Sequence, residues 1–211
     1  MKVIKAGYQI LDDLDGEAIL KKIERVARVC YKSEAKAGEG TAEKLVKSLI
    51  KSKHEAMLEH YSFSVLFTVD RGVSHEIVRH RVASFAQEST RYCNYSKGDF
   101  EAEITVIEPC YLLALSDGYT EWRKAVEAAE KQYFELLTIG HSPQEARAVL
   151  PNSLKTEIVV TANLREWRHI LALRACGVTG KPHPQMLEVM IPLLEDLQSK
   201  IPVIFDDLEV K

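Results

Sequence analysis

The sequence predicts an α+β fold, and three observations lead to this prediction. Tyr61–Val69 places its aromatic and branched side chains on one face with the period of two that a strand requires. The stretch from Asp117 to Ile139 has the length and pattern of a long helix. The strand and helix patterns are interspersed without a regular βαβ rhythm, and no G-x-G-x-x-G or G-x-x-x-x-G-K-[ST] motif follows a strand, which argues against Rossmann and P-loop folds.

The N-terminal part of the chain is predicted to contain one strand and two helices. Val3–Leu11 has the pattern of a strand. Asp15 is expected to cap a helix that runs to about Tyr31 with an apolar stripe along one face. After a glycine-containing loop, Thr41 is expected to cap a second helix through about Lys53, whose lysines form a solvated face.

The middle of the chain is predicted to alternate between strands and helices. After the Tyr61–Val69 strand, a short helix from about Ser74 to Arg79 leads into an arginine-rich stretch with too little periodicity for a regular element. Glu103–Ile107 has the pattern of another strand. Asp117 then opens the long helix, which Gly140 can terminate.

The C-terminal part is predicted to contain a short helix, a strand and two longer helices. Ser142-Pro143 has the order of a cap followed by a proline at the first helical position. The alternation from Leu154 to Ala162 predicts a strand, and Asn163 is the expected N-cap of a helix that runs to about Cys176. The last helix, about Pro184–Lys200, must accommodate an internal proline as a kink.

Composition limits the classes of function that the chain can have. At 211 residues and 46% hydrophobic, without repeats or linkers, residues 1–211 are predicted to form a single domain. The 28 Lys+Arg residues against 31 Asp+Glu give a net charge of −3, which argues against a nucleic-acid partner. The longest apolar run, Pro109–Leu115, is far shorter than the roughly 20 residues of a membrane-spanning helix. Without a secretory signal at the N-terminus, we expect a cytoplasmic protein with no membrane partner.

The pattern of cysteines and histidines does not predict a metal site. No C-x-x-C pair is present, so neither a zinc site nor a disulfide framework is indicated. His75 and His80 are five residues apart, whereas a zinc-binding helix places its two histidines four apart. The four cysteines are Cys30, Cys93, Cys110 and Cys176.

The most informative stretch of the sequence is residues 79–91, which hold three arginines, a histidine and two serines. A guanidinium keeps its charge at any ordinary pH, so arginines held close together repel one another unless an anion lies between them. Because the chain as a whole is not basic, the stretch, here called the arginine window, predicts a site for a small, planar anion.

The arginine window resembles the signature of the flavin-dependent thymidylate synthases, the ThyX family. The shared pattern is Arg79-His80-Arg81, seven intervening residues, then Ser89 and Arg91. Further blocks resemble this family in the same order, so that the resemblance spans about residues 30 to 185. These blocks are His54, Glu59, Ala146-Arg147-Ala148-Val149-Leu150-Pro151, Asn163-Leu164-Arg165 and Leu173-Arg174-Ala175.

The resemblance implies both an assembly and an activity. It implies an α+β subunit with an antiparallel or mixed sheet and long helices, which assembles as a homotetramer with composite active sites at subunit interfaces. It also implies a methyltransferase that converts dUMP to dTMP, with FAD and NADPH as the reductant and methylenetetrahydrofolate as the one-carbon donor.

The resemblance also implies which residues contact each ligand. FAD would contact His54, Ala56, Arg79, His80, Arg81, Gln87, Asn163, Leu164, Arg165 and His169. The nucleotide would contact Glu76, Ile77, Val78, Arg79, Gln87, Glu88, Ser89, Thr90, Arg91, Arg147 and Arg174. Arg147 and Ser89 suit a phosphate, because charge-assisted hydrogen bonds hold such a group in a fixed orientation. Arg174 is the expected catalytic residue, since a guanidinium facing N3 and O4 of uracil would stabilise the N3-deprotonated ring.

Several alternatives remain open at this point. Ser89 is a nucleophile by type, although no base is identifiable from spacing alone. Arg147 and Arg174 also suit helix C-termini, where the macrodipole favours cations. The chain departs from the family pattern at Glu76, Ala56 and His169, and Glu88 and Thr90 differ from the residues seen elsewhere. A nucleotide-sensing module without methylation activity and an RNA-binding module are the two other classes of function.

Overall fold

The computed structural model describes residues 1–96 and 102–210, which contain two groups of strands and a set of helices. The strands are β1 (Lys2–Ile4), β2 (Gly7–Ile10), β3 (Ser62–Asp70), β4 (Ser84–Gln87), β5 (Thr105–Ile107) and β6 (Lys155–Asn163). The helices are α1 (Gly16–Val29), α2 (Thr41–Lys51), α3 (Arg71–Ile77), α4 (Asp117–Thr138), α5 (Pro143–Ala146), α6 (Leu164–Arg174) and α7 (Pro184–Lys200). Short 3-10 turns lie at Glu34–Lys36, Glu55–His60 and Arg147–Val149.

The strands confirm the α+β class. β1 and β5 form a parallel two-stranded pair, and the other four strands form a sheet in the order β2-β3-β6-β4. An isolated antiparallel bridge joins Val106 to Leu154. The long β3 strand is confirmed, since Phe63, Val65 and Phe67 on its predicted face are buried.

The chain divides into two compact units, and the first comprises Met1–Gly7, Phe67–Arg79 and Ala86–Val159. Its core is built around α4, with Val126 and Tyr133 of that helix buried. The other buried members of this core are Tyr95, Ile104, Val106, Ala146 and Leu154.

The second unit comprises Tyr8–Leu66, His80–Phe85 and the chain from Val160 onward. Its core joins α1, α2, α6 and α7 to the first part of β3. The Trp167 ring of α6 stacks on Phe63 with the ring centroids 5.1 Å apart, and its indole N–H donates to the Phe63 carbonyl at 3.2 Å. This pair fixes α6, which carries several of the predicted site residues, against β3.

Helix starts that depend on local chemistry are confirmed. The Asp15 carboxylate accepts from the Ala18 N–H at 2.9 Å and caps α1. Ser142 forms the capping box of α5 with Glu145, and the last helix spans Pro184–Lys200 as predicted. Gly140 follows α4 with φ of +103°, a conformation that glycine adopts without a steric penalty.

Four of the predicted elements need correction. Val3–Leu11 is two strands, because β1 pairs with β5 whereas β2 belongs to the four-stranded sheet. Residues 84–87 of the arginine window form β4, so the window does contain a regular element. Gly40, in the left-handed conformation, caps α2, and Thr41 is its first residue. The helix after β3 begins at Arg71 because the Asp70 carboxylate caps it by accepting from the Val73 N–H at 2.6 Å.

Two kinds of feature are absent from the described residues. Across residues 1–96 and 102–210, no helix combines the length and apolar composition needed to span a membrane. Within the same ranges, no three His, Cys, Asp or Glu side chains are grouped as metal ligands.

Candidate functional site

The second unit contains a cavity of about 570 Å³ at the N-terminal half of α6. Three residues of the predicted FAD set, Asn163, Arg165 and His169, line it directly. The remaining lining residues are Glu55, Glu59, Val82, Glu166, Arg168, Ala172 and Leu208. His54 and Ala56 flank Glu55 in the chain, and Arg81 precedes Val82, so three further residues of the set are neighbours of lining residues.

The start of α6 explains how these side chains come together. The Asn163 side chain, at the end of β6, accepts from the Glu166 N–H at 2.9 Å and caps the helix. Arg165, His169 and Ala172 then follow at the spacing of one helix face, and all three line the cavity. Leu164 is fully buried instead, and its N–H donates to the Tyr61 carbonyl at 2.9 Å.

Acidic residues balance the basic side chains of this cavity. Arg165 pairs with Glu59 at 2.6 Å, with side chains 51% and 46% exposed. Arg168, in contrast, is buried and donates to both carboxylate oxygens of Asp207, at 2.6 and 2.8 Å, and to the Ile204 carbonyl. These hydrogen bonds from Arg168 lower the pKa of Asp207. The Arg168 guanidinium therefore holds the C-terminal segment in place, whereas Arg165 is accessible.

His80 and the predicted catalytic residue Arg174 are in direct contact. The Arg174 Nε–H donates to Nε2 of His80 at 3.1 Å, which requires that this nitrogen carry no proton. Burial, together with the charges of Arg174 and His169, lowers the pKa of His80 to about 4. The imidazole is only 5% exposed. His80 is therefore neutral at pH 7, and it acts as a hydrogen-bond acceptor that orients Arg174.

Glu166 lies on the other side of the His80 ring. Its carboxylate is 3.8 Å from Nδ1 of His80, a distance too long for a hydrogen bond. Burial raises the pKa of Glu166. Because His80 is neutral, this contact is not an ion pair of two full charges.

The first unit brings together the predicted nucleotide residues that follow β4. The Gln87 amide donates to the Ser74 hydroxyl at 2.9 Å and to the Thr156 hydroxyl at 3.2 Å. Arg147 donates to the Thr90 hydroxyl at 3.2 Å, although the two residues are 57 positions apart in the chain. The arginine window and the Arg147 block, which are separate in the sequence, thus form one group.

Ser89 lies at the start of a tight turn in this group. The Tyr92 and Cys93 N–H groups donate to its carbonyl at 3.1 and 3.0 Å, and the Arg91 N–H donates to its hydroxyl at 3.3 Å. Among the residues that the structure describes, no histidine or carboxylate forms a hydrogen bond with this hydroxyl. The geometry favours a positioning role for Ser89 over a nucleophilic one.

Other members of the predicted nucleotide set have buried or engaged side chains. The Glu88 carboxylate accepts from Lys155 at 3.1 Å and from the Tyr95 hydroxyl at 3.2 Å, so both of its oxygens are engaged within the protein. Ile77 is buried in α3, and the Val78 N–H donates to the Ser74 carbonyl at 3.1 Å. Glu76 lies half-buried on the same helix.

The three arginines of the window are exposed and have no carboxylate partner within residues 1–96 and 102–210. Arg91 lies over the Tyr92 ring, 5.5 Å from its centroid. Arg79 follows α3, and Arg81 follows His80. Their guanidinium groups are therefore available to an anion.

Sequence reasoning missed several polar residues of both groups. Glu166 and Arg168 line the cavity, and Ser74, Lys155 and Thr156 hold the segment that follows β4. The sequence pattern could have indicated Thr156, because it is a polar residue on the buried face of β6. No feature of the sequence indicated Arg168, since the spacing of an arginine on a helix does not distinguish a buried guanidinium from an exposed one.

Comparisons with known proteins give consistent results. The model of the family described as thymidylate synthase complementing protein matches residues 14–203. The flavin-dependent thymidylate synthase of Mycolicibacterium gilvum (strain PYR-GCK) is 35% identical over 210 residues, which cover 94% of this chain and 82% of that protein. The enzyme of the same name from Mycobacterium tuberculosis (strain ATCC 25177 / H37Ra) is 33% identical over 216 residues, with the same coverage.

A solved structure supports the fold. The crystal structure of the UMP/dUMP methylase PolB from Streptomyces cacaoi, bound with 5-Br dUMP, superposes with a TM-score of 0.79. The superposition covers 98% of this chain and 96% of that one, at 24% sequence identity. At this identity the similarity establishes a shared fold.

Proposed function

The chain belongs to the family of flavin-dependent thymidylate synthases, and from this membership we propose that it methylates dUMP to dTMP. The proposal includes FAD and NADPH as the reductant and methylenetetrahydrofolate as the one-carbon donor. The observation that carries it is the hydrogen bond from Arg147 to Thr90, which joins two distant sequence blocks into one anion-binding group.

That group suits a nucleotide monophosphate. A phosphate monoester carries close to two negative charges at pH 7 and accepts several hydrogen bonds. Arg91 and Arg147 are exposed and next to the turn that begins at Ser89, so two guanidinium groups are available beside this turn. Charge-assisted hydrogen bonds of this kind are stronger than neutral ones and fix orientation.

The cavity at α6 suits a flavin nucleotide. Its volume of about 570 Å³ lies within the usual range of ligand pockets. The Arg165–Glu59 pair is about half exposed, and such pairs contribute only about 0–1 kcal/mol, so a pyrophosphate can take over the guanidinium at little cost. Asn163, Arg165 and His169 would hold the group, which when bound supplies the hydride that reduces the transferred carbon.

Arg174 has the role of stabilising negative charge on the pyrimidine. A guanidinium facing N3 and O4 favours the N3-deprotonated ring, which is electron-rich at C5. The hydrogen bond to neutral His80 uses the Nε–H of Arg174 and sets the plane of the guanidinium. His80 thus acts as a positioning residue for Arg174.

The release of tritium from [5-³H]dUMP, with and without FAD, tests the proposed function. We expect release that requires dUMP, FAD, NADPH and the folate, because a hydrogen at C5 must leave when the methyl group is added. Protein that binds dUMP and flavin but never releases tritium would instead be a nucleotide sensor. Protein that binds only oligonucleotides, with a steep salt dependence, would be an RNA-binding module.

The variant Arg174→Ala tests the assignment of the catalytic residue. Because Arg174 acts on the pyrimidine, we expect dTMP formation to be lost while the protein remains yellow with bound flavin. Unchanged turnover in this variant would remove Arg174 from the mechanism.

We also propose that the protein is a homotetramer with active sites shared between subunits. The family membership supports this proposal. Sedimentation analysis measures the assembly directly. If the sites are shared, mixing the impaired variants Arg147→Ala and Arg165→Ala should restore part of the activity, because some sites in the mixed oligomers receive neither substitution. The cytoplasmic location stays a prediction.

A further inference from the structure

Lys155, the first residue of β6, connects the strand to the segment that carries Ser89. Its Nζ lies 3.1 Å from a Glu88 carboxylate oxygen and 3.2 Å from Glu157. The Lys155 and Glu88 side chains are only 19% and 12% exposed, so this ion pair is screened less by solvent than a surface pair.

Tyr95 completes the contacts of the Glu88 carboxylate. Its hydroxyl donates to the second carboxylate oxygen at 3.2 Å. Burial raises the pKa of Tyr95, so that the hydroxyl stays protonated as a donor. Because Glu88 and Tyr95 lie on either side of the turn at Ser89, this hydrogen bond closes the segment 88–95 into a loop.

The loop has little else that fixes it to β6. The Glu88 N–H donates to the Glu157 carbonyl at 2.9 Å, which continues the pairing of β4 with β6. Beyond Glu88, the turn at Ser89 is held by hydrogen bonds within residues 89–93 and by the bond from Arg147 to Thr90, neither of which involves β6. The side chains of Glu88 and Lys155 therefore link the closed loop to the sheet.

We propose that Lys155 is a positioning residue that, through Glu88, fixes the loop of Ser89 and Arg91 in the orientation that binds the nucleotide phosphate. This inference rests on the proposed function. Lys155 acts through Glu88 and does not contact the nucleotide, because two carboxylates already occupy its ammonium group. Burial alone would lower the pKa of Lys155, but Glu88 and Glu157 raise it, so the ammonium stays charged.

Breaking and then removing the pair tests the proposal. Lys155→Met leaves the Glu88 charge without its cation, and Glu88→Leu leaves Lys155 with Glu157 alone, whereas the double variant removes both charges. If Lys155 acts through Glu88, removing both side chains weakens binding no more than removing one, so the losses from the two single variants are not additive. The quantity to measure is the dissociation constant for dUMP, by calorimetry with flavin-loaded protein.

We expect each single variant to weaken dUMP binding at least about tenfold, which corresponds to about 1.4 kcal/mol. The double variant Glu88→Leu/Lys155→Met should bind dUMP no more weakly than the weaker single variant, because the two side chains act as one link. Lys155→Arg, which keeps the charge, should bind dUMP nearly as wild type does. In steady-state assays the single variants should raise KM for dUMP by a larger factor than they lower kcat, because the loop holds the phosphate and not the reacting ring.

The matched control is the exposed pair of Lys124 and Glu121 on α4, whose side chains are 65% and 71% exposed. Lys124→Met should leave dUMP binding unchanged. A double variant whose loss of binding free energy equals the sum of the two single losses would show that Lys155 acts on the nucleotide independently of Glu88 and would overturn the proposal. Folded single variants with wild-type affinity would overturn it as well, whereas a wild-type protein that does not bind dUMP would refute the proposed function instead.

Discussion

Acid should destabilise this protein through His80. Of the seven histidines, all of which lie within the described residues, His80 alone is buried. Its environment lowers the pKa from 6.5 to about 4, chiefly by burial. Between these two values the unfolded chain binds the proton more tightly than the folded one. The contribution of neutral His80 is therefore fully present above pH 6.5 and is lost as the pH falls toward 4.

The size of this effect follows from the two pKa values. At about 1.36 kcal/mol per pH unit, the difference between 6.5 and about 4 corresponds to about 3 kcal/mol. Integrated between pH 7 and pH 5, the expected loss of unfolding free energy is about 2 kcal/mol. Glu166 acts in the opposite direction, because its raised pKa lets the folded state take up a proton as the pH falls. The contribution of His80 must therefore be measured against a variant.

Urea unfolding at pH 7 and pH 5, at one fixed protein concentration, measures how much unfolding free energy is lost between the two pH values. The variant His80→Asn cannot take up the proton and should lose about 2 kcal/mol less than wild type between the two pH values. His75→Asn, at an exposed position on α3, is the matched control and should behave as wild type does. An unchanged pH dependence in His80→Asn would show that His80 is not the group that titrates.

Three further predictions test other parts of the structure. Arg147→Ala should weaken dUMP binding by about 2 kcal/mol, or about thirtyfold, because a charge-assisted bond is lost, and calorimetry measures this directly. Arg168→Met should lower the free energy of unfolding in urea by about 2–3 kcal/mol, since it leaves Asp207 without its cation, and no loss would refute the role of Arg168 as an anchor. Gly16→Ala should destabilise by about 1–3 kcal/mol because the added Cβ overlaps the last carbonyl of α7, whereas Gly7→Ala, with open space around it, should not.

The elements that could be predicted are those whose cause is local. Asp15 and Asn163 cap helices through hydrogen bonds to residues three positions away, and the alternation in β3 reflects the burial of one face. The break between β1 and β2 could not be predicted, because each strand is defined by its partner strand. β4 was missed for the same reason: residues 84–87 become a strand by pairing with β6.

In the candidate site, too, the features with a local cause could be predicted and those that depend on a distant partner could not. The residue types of the arginine window predict anion binding, which stays a prediction, and the structure brings Arg147 from a distant block of the sequence next to Thr90. The residues that orient the site were not predictable, because their partners are distant in the chain. Lys155 and Glu88 are 67 positions apart, and Arg168 and Asp207 are 39 apart. No local pattern marks a charged side chain that will become buried against such a partner.

The structure also changes the physical argument for the arginine window. Crowding of guanidinium charges does not by itself require an anion here, because Arg79, Arg81 and Arg91 are exposed. In water, two unit charges 4 Å apart repel by only about 1 kcal/mol, and salt reduces this further. What favours an anionic ligand is that none of the three has a carboxylate partner among the described residues, whereas Arg165 and Arg168 on α6 both do. A ligand that binds the window gains new ion pairs without breaking any in the described part of the chain. A ligand in the cavity must first displace Glu59 from Arg165, so a contact with Arg165 contributes less binding free energy than a contact with an arginine of the window.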